Sequence, residues 1–322
     1  MPRSTKLETQ LADLEAAQQQ LPSAEAIALV GQGLASKHAV VIAKAAKLMS
    51  DHHLAQFVPE LVATFDRLLV NPVKTDQACL GKTAIADALY HLDYSDETLF
   101  LQGIHHIQLE PVWGGKQDTA VALRGICALG LVRMNYPAVM SELADLLADP
   151  EAQARVAAVK AIAYSGNPQG VPLLRLKTRI VDANPAVVAE CLDALIALAP
   201  AASFDLVASF LNHPDDILQE TAALALGASR LLAALPLLQQ WWQRQTNPDL
   251  RATALLSIFN LRQAESLDFL LALVSEGKPS QAKESIAVLS VPKDPALWQQ
   301  VCERVEQRDH PELKAAVQSA WR

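Results

Sequence analysis

The chain has 322 residues, a formal net charge of −8 and 51% apolar residues, enough apolar surface for a core and too much for a disordered chain. Alanine (54) and leucine (50) dominate, with 12 glycines and only 5% aromatics, which favours helix and argues against β-sandwiches and Rossmann-type sheets. The acidic balance argues against a general polyanion binder, because counterion release on a nucleic acid needs a local excess of Lys and Arg.

The first residues, Met1-Pro2-Arg3-Ser4-Thr5-Lys6, lack the apolar core of a signal peptide. No stretch of 18 apolar residues free of charge follows, so no membrane span is expected. The chain reads as cytoplasmic. Over residues 5–20, Leu7, Leu11, Leu14 and Leu21 form a narrow stripe among Gln and Glu, and Thr5 with Glu8 has the spacing of a capping box. We read residues 1–21 as a capping helix that closes the exposed face of what comes next, and 22–322 as a repeat array.

The array is marked by a recurring start signal: a small polar residue or His, then Pro, then about twelve helix formers. After a Pro-less copy near Ser36-Lys37-His38 it appears at Asn71-Pro72, and a second Pro-less copy falls near Lys116-Gln117-Asp118. Asp149-Pro150, Asn184-Pro185, His213-Pro214, Asn247-Pro248, Lys278-Pro279 and His310-Pro311 follow, at steps of 35, 29, 34, 31 and 32 residues. Proline suits a first helical turn, where its missing N–H would have no partner, and Asp or Asn before it caps the free N–H groups. A second series, Pro59, Pro137, Pro172 and Pro236, lies 12 or 13 residues ahead of a start proline. Each unit is therefore helix, turn, helix. Stripes such as Val188, Cys191, Leu192, Leu195 and Leu198 follow 3/4 spacing, and helices this short bury such faces only by stacking on neighbours. Cys79, Cys127, Cys191 and Cys302 stand singly on apolar runs and read as buried free thiols in a reducing compartment.

The run from Asp149-Pro150 through Val156-Ala157-Ala158-Val159-Lys160-Ala161-Ile162, then Gly166-Asn167-Pro168 through Val171-Pro172-Leu173-Leu174, resembles a HEAT repeat. More narrowly it is similar to the HEAT-like repeats of phycobilin lyase subunits. The resemblance implies an all-α, right-handed superhelix, a HEAT-like solenoid of about nine helical hairpins. It also implies that the second helices line a concave side, where Lys44, Lys47, Lys82, Arg124, Arg155, Lys160 and Arg251 would share a surface interrupted by Asp193 and Glu220. Some of these basic residues would instead bond carboxylates or turn carbonyls of a neighbouring unit.

Residues 90–118 are the least repeat-like stretch and the first candidate site. Three of the eight histidines (His91, His105, His106), the one Gly-Gly pair and the lone Trp113 fall there among acidic residues, and loops on a rigid scaffold concentrate function. Adjacent His105 and His106 diverge by about 100° on a helix and do not converge on one ion. The lysine-modifying diiron hydroxylases with HEAT-like repeats use His-Glu dipeptides, which are absent here, so no metal and no cofactor is expected. Gly114-Gly115-Lys116 lacks the phosphate-loop frame and reads as a turn before a helix. Trp241-Trp242 ends a helix, and adjacent rings face about 100° apart; packing of both at a repeat junction is the first reading, and one exposed ring, Trp241, anchoring a partner is the alternative. The candidate contact residues are thus His105, His106, Trp113, Lys82, Arg124, Arg155 and Trp241, and catalytic residues are not identified. The expected role is a non-catalytic scaffold for another protein. The resemblance also implies two alternatives, a lyase-like or chaperone-like subunit acting on a modified protein, and a DNA-binding or DNA-repair protein.

Overall fold

Helix caps and short apolar stripes dictate most of what is seen. The structure, a computed structural model, describes residues 2–180 and 182–320, with side chains from Lys6 onward. These fall into two compact units, Met1–Gly166 and Asn167–Arg322. The first contains α1 (Pro2–Gln20), α2 (Ala24–Gly33), α3 (Ala39–Asp51), α4 (Val58–Leu69), α5 (Pro72–Thr75), α6 (Leu80–His91) and α7 (Glu97–Ile104). A two-stranded hairpin, β1 (Leu109–Val112) and β2 (Gly115–Asp118), is followed by α8 (Val121–Arg133), α9 (Val139–Leu146) and α10 (Ala152–Ser165). The second unit contains α11 (Gly170–Arg179), α12 (Pro185–Leu198), α13 (Pro200–Ser209), α14 (Asp216–Ala228), α15 (Ala234–Arg244), α16 (Pro248–Asn260), α17 (Ala264–Glu276), α18 (Pro279–Leu289), α19 (Pro295–Arg308) and α20 (Pro311–Ala320).

In the first unit α2 packs on α3, α4 on α6, α7 on α8 and α9 on α10; the second unit pairs α11 with α12 and continues so to α19 with α20. Among the described residues this makes four helical hairpins in the first unit and five in the second, each unit an all-α stack of solenoid type apart from the one two-stranded hairpin. The second helices also stack on one another, α3–α6–α8–α10 in one unit and α12–α14–α16–α18–α20 in the other, while α1 lies against α2 and α3. Each pair therefore covers the apolar stripe that its neighbour cannot bury alone. Close approach is built in at Gly227, where an added Cβ would meet the Ser257 carbonyl oxygen at 2.5 Å.

The predicted starts hold where the cap chemistry is complete. Asn184 and Asn247 accept the backbone N–H of Ala186 and Asp249, and Pro185 and Pro248 open the helices behind them. At His213-Pro214 the capping residue is instead Asp215, which accepts from Ile217 N–H. The start at Asn71-Pro72 fails. Asn71 is left-handed and makes no cap bond, α5 stops after four residues, and the long helix begins at Leu80. The reason is Asp76, which accepts from the backbone N–H of Gly81 (2.6 Å) and Lys82 (3.0 Å) and so caps α6 eight residues downstream. The N-terminal helix already runs from Pro2, and the Thr5 side chain of the expected capping box lies outside the described residues. Within the stretch 90–118, Glu97–Ile104 is an ordinary first helix of a pair, and the irregularity narrows to the hairpin.

Three of the four thiols are buried as expected, but Cys302 is half exposed. Burial pushes the Cys79 thiol up to about 11 and Cys191 up to about 12; Cys127 is raised further by the same cause.

Candidate functional site

The hairpin between α7 and α8 is the one β element among the described residues. Its register pairs Leu109 with Asp118, Glu110 with Gln117, Pro111 with Lys116 and Val112 with Gly115, leaving Trp113 and Gly114 as a two-residue loop. Gly114 sits at φ +89° with nothing within 4 Å of an added Cβ, so backbone conformation and not space requires glycine there. The Gly-Gly pair does make a turn, as read from the sequence, but between strands and not at a helix start. Trp113 at the tip is fully exposed, and Ile107, Leu109 and Val112 are exposed beside it.

This apolar finger is fixed by a polar network at its base. Lys82 and Asp76 are wholly buried and form an ion pair at 2.8 Å. Lys82 Nζ also donates to Gln108 Oε1 at 2.9 Å, and Gln108 Nε2 donates to the Asp76 carbonyl (2.7 Å) and to Glu110 Oε1 (2.6 Å). Glu110 Oε1 accepts further from the Ala78 N–H (2.7 Å) and Thr119 Oγ1 (3.1 Å). On the other strand, Asp118 accepts from the N–H groups of Gln108 and Ala120 and pairs with Arg124 at 2.6 Å. Arg124 also donates to the His106 carbonyl and pairs with Asp149 at 2.9 Å. A buried ion pair is tolerable only when its remaining bonding capacity is met, and here each carboxylate has several donors.

Two consecutive residues, Ala78 and Cys79, are left-handed at φ 58° and 53°, a conformation that strains side-chain-bearing residues. Asp76 on one side and Glu110 on the other hold that backbone in place. Burial outweighs the Gln108 bond and holds the His106 ring below its usual pKa, with Lys82 adding to the effect. For Asp118, burial works upward but is outweighed by the Ala120 and Gln108 N–H groups and Arg124, so its carboxyl stays below the usual range.

Beside the hairpin base runs a groove of about 800 Å³ on α3, α6 and α8. Ala43, Ala84, Ala122 and Thr83 line it with Val40, Leu80 and Ile126; Lys44, Lys47, Asp51 and Asp87 are its charged lining, with His53 and His91 beside them. Ala78 and Thr119, the two groove residues that bond Glu110, join groove to hairpin.

The residues singled out by sequence separate clearly. Trp113 is at the surface. His105 is exposed, with Nε2 2.8 Å from Glu142 Oε2, whereas His106 turns inward, Nε2 3.3 Å from Gln108 Oε1. The adjacent rings diverge, and among the described residues no group of three or more His, Cys, Asp or Glu could hold a metal ion. Lys82 and Arg124 do not lie on a shared basic surface. They are buried and engaged with carboxylates brought from Asp76, Asp118 and Asp149. Arg155 is half-buried, its Nη1 donating to the Asp149 and Pro150 carbonyls at 2.8 Å. Arg251 pairs with Glu284 and donates to the carbonyls of Trp242 and Gln245.

Trp241 is likewise not an exposed anchor. Both rings are buried because they face different helices: Trp241 Nε1 donates to Gln219 on α14, and Trp242 Nε1 donates to Glu284 on α18. Sequence reasoning missed Asp76, Gln108, Glu110 and Asp118. The available signal was the density of Gln, Glu and Asp around a Trp-Gly-Gly turn.

Residues 175–258 match the family model described as HEAT repeats. That match covers about a quarter of the chain and lies within the second unit. Among solved structures, the complex of CpcE and CpcF of phycocyanin lyase from Nostoc sp. PCC7120 aligns at 15% identity and a TM-score of 0.40, over 88% of this chain and 94% of that one. Human deoxyhypusine hydroxylase in complex with glycerol aligns at 14% identity and a TM-score of 0.28, over 91% of this chain and 88% of that one. No curated protein matches the sequence. No helix among the described residues is long and apolar enough to cross a membrane.

Proposed function

We propose that this protein is a non-catalytic scaffold that holds a segment of a partner protein on its first unit, against the groove of α3, α6 and α8, with the hairpin as a clamp beside it. The observation that carries the reading is the contrast within 105–120. Trp113 is wholly exposed at the tip, while the base of the same hairpin is pinned by a buried ion pair and an extensive hydrogen-bond network. An exposed indole on a rigid support is the kind of group that anchors protein interfaces, because its large apolar area is presented with little conformational entropy left to lose. The small-residue groove beside it lets a partner backbone approach closely. The polar groups of the network are engaged with one another, including Arg124 and Asp149 where they line a small pocket of about 230 Å³, which suits positioning better than chemistry. The burial of Lys82 and Arg124 removes two members of the basic row on which nucleic-acid contact would rest.

Affinity capture of the tagged chain from its native cell tests this. Wild type should retain a stoichiometric protein partner through a high-salt wash, and Trp113→Ala should lose it at least tenfold while melting within about 1 °C of wild type, as expected for an exposed side chain. Retention of the partner by Trp113→Ala would overturn the reading.

A further inference from the structure

We propose that the outer edge of β2 is a strand-addition site, taking an extended segment of the partner that sets an acidic side chain against Lys116. This rests on the reading of the hairpin as a partner contact and specifies how that contact is made.

In an antiparallel pair, residues alternate between those that exchange hydrogen bonds across the ladder and those whose N–H and C=O point outward. The two-residue loop makes Val112 and Gly115 a bonded pair, so Glu110 with Gln117 is bonded as well. The Thr119 N–H donating to the Gln108 carbonyl at 2.9 Å confirms the phase one step further down. Pro111 with Lys116, and Leu109 with Asp118, are therefore the outward pairs. On β1 the outward position nearer the tip is Pro111, which has no N–H, so that edge cannot accept a full ladder. On β2 the outward positions are Lys116 and Asp118, both with N–H and C=O. Among the described residues their backbone groups make no bond outside the hairpin. Two edges thus become one usable edge.

Charge selects the occupant. Lys116 is exposed, and no ion pair engages it among the described residues. A second copy of β2 is a poor fit. Pairing Lys116 with its own copy opposes like charges. The register that sets Lys116 against Asp118 meets a carboxylate already held by Arg124 and two backbone N–H groups. A partner strand carrying Glu or Asp meets neither objection, and Trp113, in the loop that leads into β2, extends its contact.

The test uses the full chain, ¹⁵N-labelled, with the peptide acetyl-Thr-Val-Thr-Glu-Val-Thr-Val-amide and its Glu-to-Lys counterpart as probes. The acidic peptide should shift and protect the Lys116 and Asp118 amides and bind at least tenfold tighter than the basic one. Lys116→Glu should reverse that preference. Lys116→Pro removes an N–H that the hairpin itself does not use and should abolish binding; if it disturbs the hairpin, the charge reversal still decides. Binding of neither peptide, binding unaffected by both substitutions, shifts confined to α3 and α6, or a concentration-dependent dimer broken by Lys116→Pro would each overturn the proposal. In the capture experiment, a partner lost by Trp113→Ala but kept by Lys116→Pro leaves the scaffold reading standing and removes strand addition. A partner kept by both removes the scaffold reading itself.

Discussion

Replacing Lys82 by Met tests the buried network that holds the hairpin. Methionine fills a similar volume but supplies no charge and no donor. The substitution leaves the Asp76 carboxylate, wholly buried, with only the Gly81 and Lys82 backbone N–H groups, and strips Gln108 Oε1 of its 2.9 Å donor. Removing one partner of a buried ion pair costs about 3–5 kcal/mol. For a unit of 150–250 residues each kcal/mol corresponds to about 2–4 °C, so the melting temperature of the first unit should fall by roughly 10 °C. Calorimetry measures the loss, and hydrogen exchange locates it, with protection falling first in β1, β2 and the first turn of α6. A Lys82→Met variant that melts within about 2 °C of wild type with an unchanged hairpin would refute the assignment of Lys82 to a structural pair and restore it to a contact surface.

Other consequences are equally direct. Trp241→Ala should destabilise the second unit by about 3–5 kcal/mol, because a ring 1% exposed leaves a cavity and Gln219 Oε1 keeps only the Gln245 donor; urea unfolding measures it, and a loss below about 1 kcal/mol would return Trp241 to the surface. His106 resists protonation when folded, so the unfolded chain takes up the proton first as pH falls through 6.5. Stability of the first unit is therefore full above that value and declines below it, and His106→Gln should flatten the melting profile between pH 7 and 5. Gly114→Val should cost the hairpin about 1–3 kcal/mol through its φ of +89° alone, seen as faster amide exchange at Val112 and Gly115.

The helical framework was readable because each start couples a proline to a side-chain cap, as at Asn184-Pro185 and Asn247-Pro248, and both signals are local. Where the cap is not adjacent the reading slips: Asn71-Pro72 looks like a start, but the carboxylate that begins the long helix is Asp76. The strands escaped for a similar reason. Leu-Glu-Pro-Val and Gly-Lys-Gln-Asp have little intrinsic strand preference, and their pairing is stabilised by Glu110 and Asp118 reaching residues outside the hairpin. For Lys82 and Arg124 the resemblance implies either a concave basic surface or bonds to a neighbouring unit, and nothing local in the sequence chooses between them. Their carboxylate partners at 76, 118 and 149 are recognisable only once the helices are stacked. Trp113 stands out in the sequence because an isolated aromatic before Gly-Gly has no stripe to join, and it lies exposed in the hairpin loop.

Partner binding at the first unit's hairpin and groove is the central proposal. Hydrogen exchange of the free chain and of the captured complex measures this at peptide resolution. The account predicts added protection over residues 107–118 and over the groove-lining turns of α3 and α6, with α12 to α20 unchanged. Protection confined to the second unit, with 107–118 exchanging as in the free chain, would contradict it.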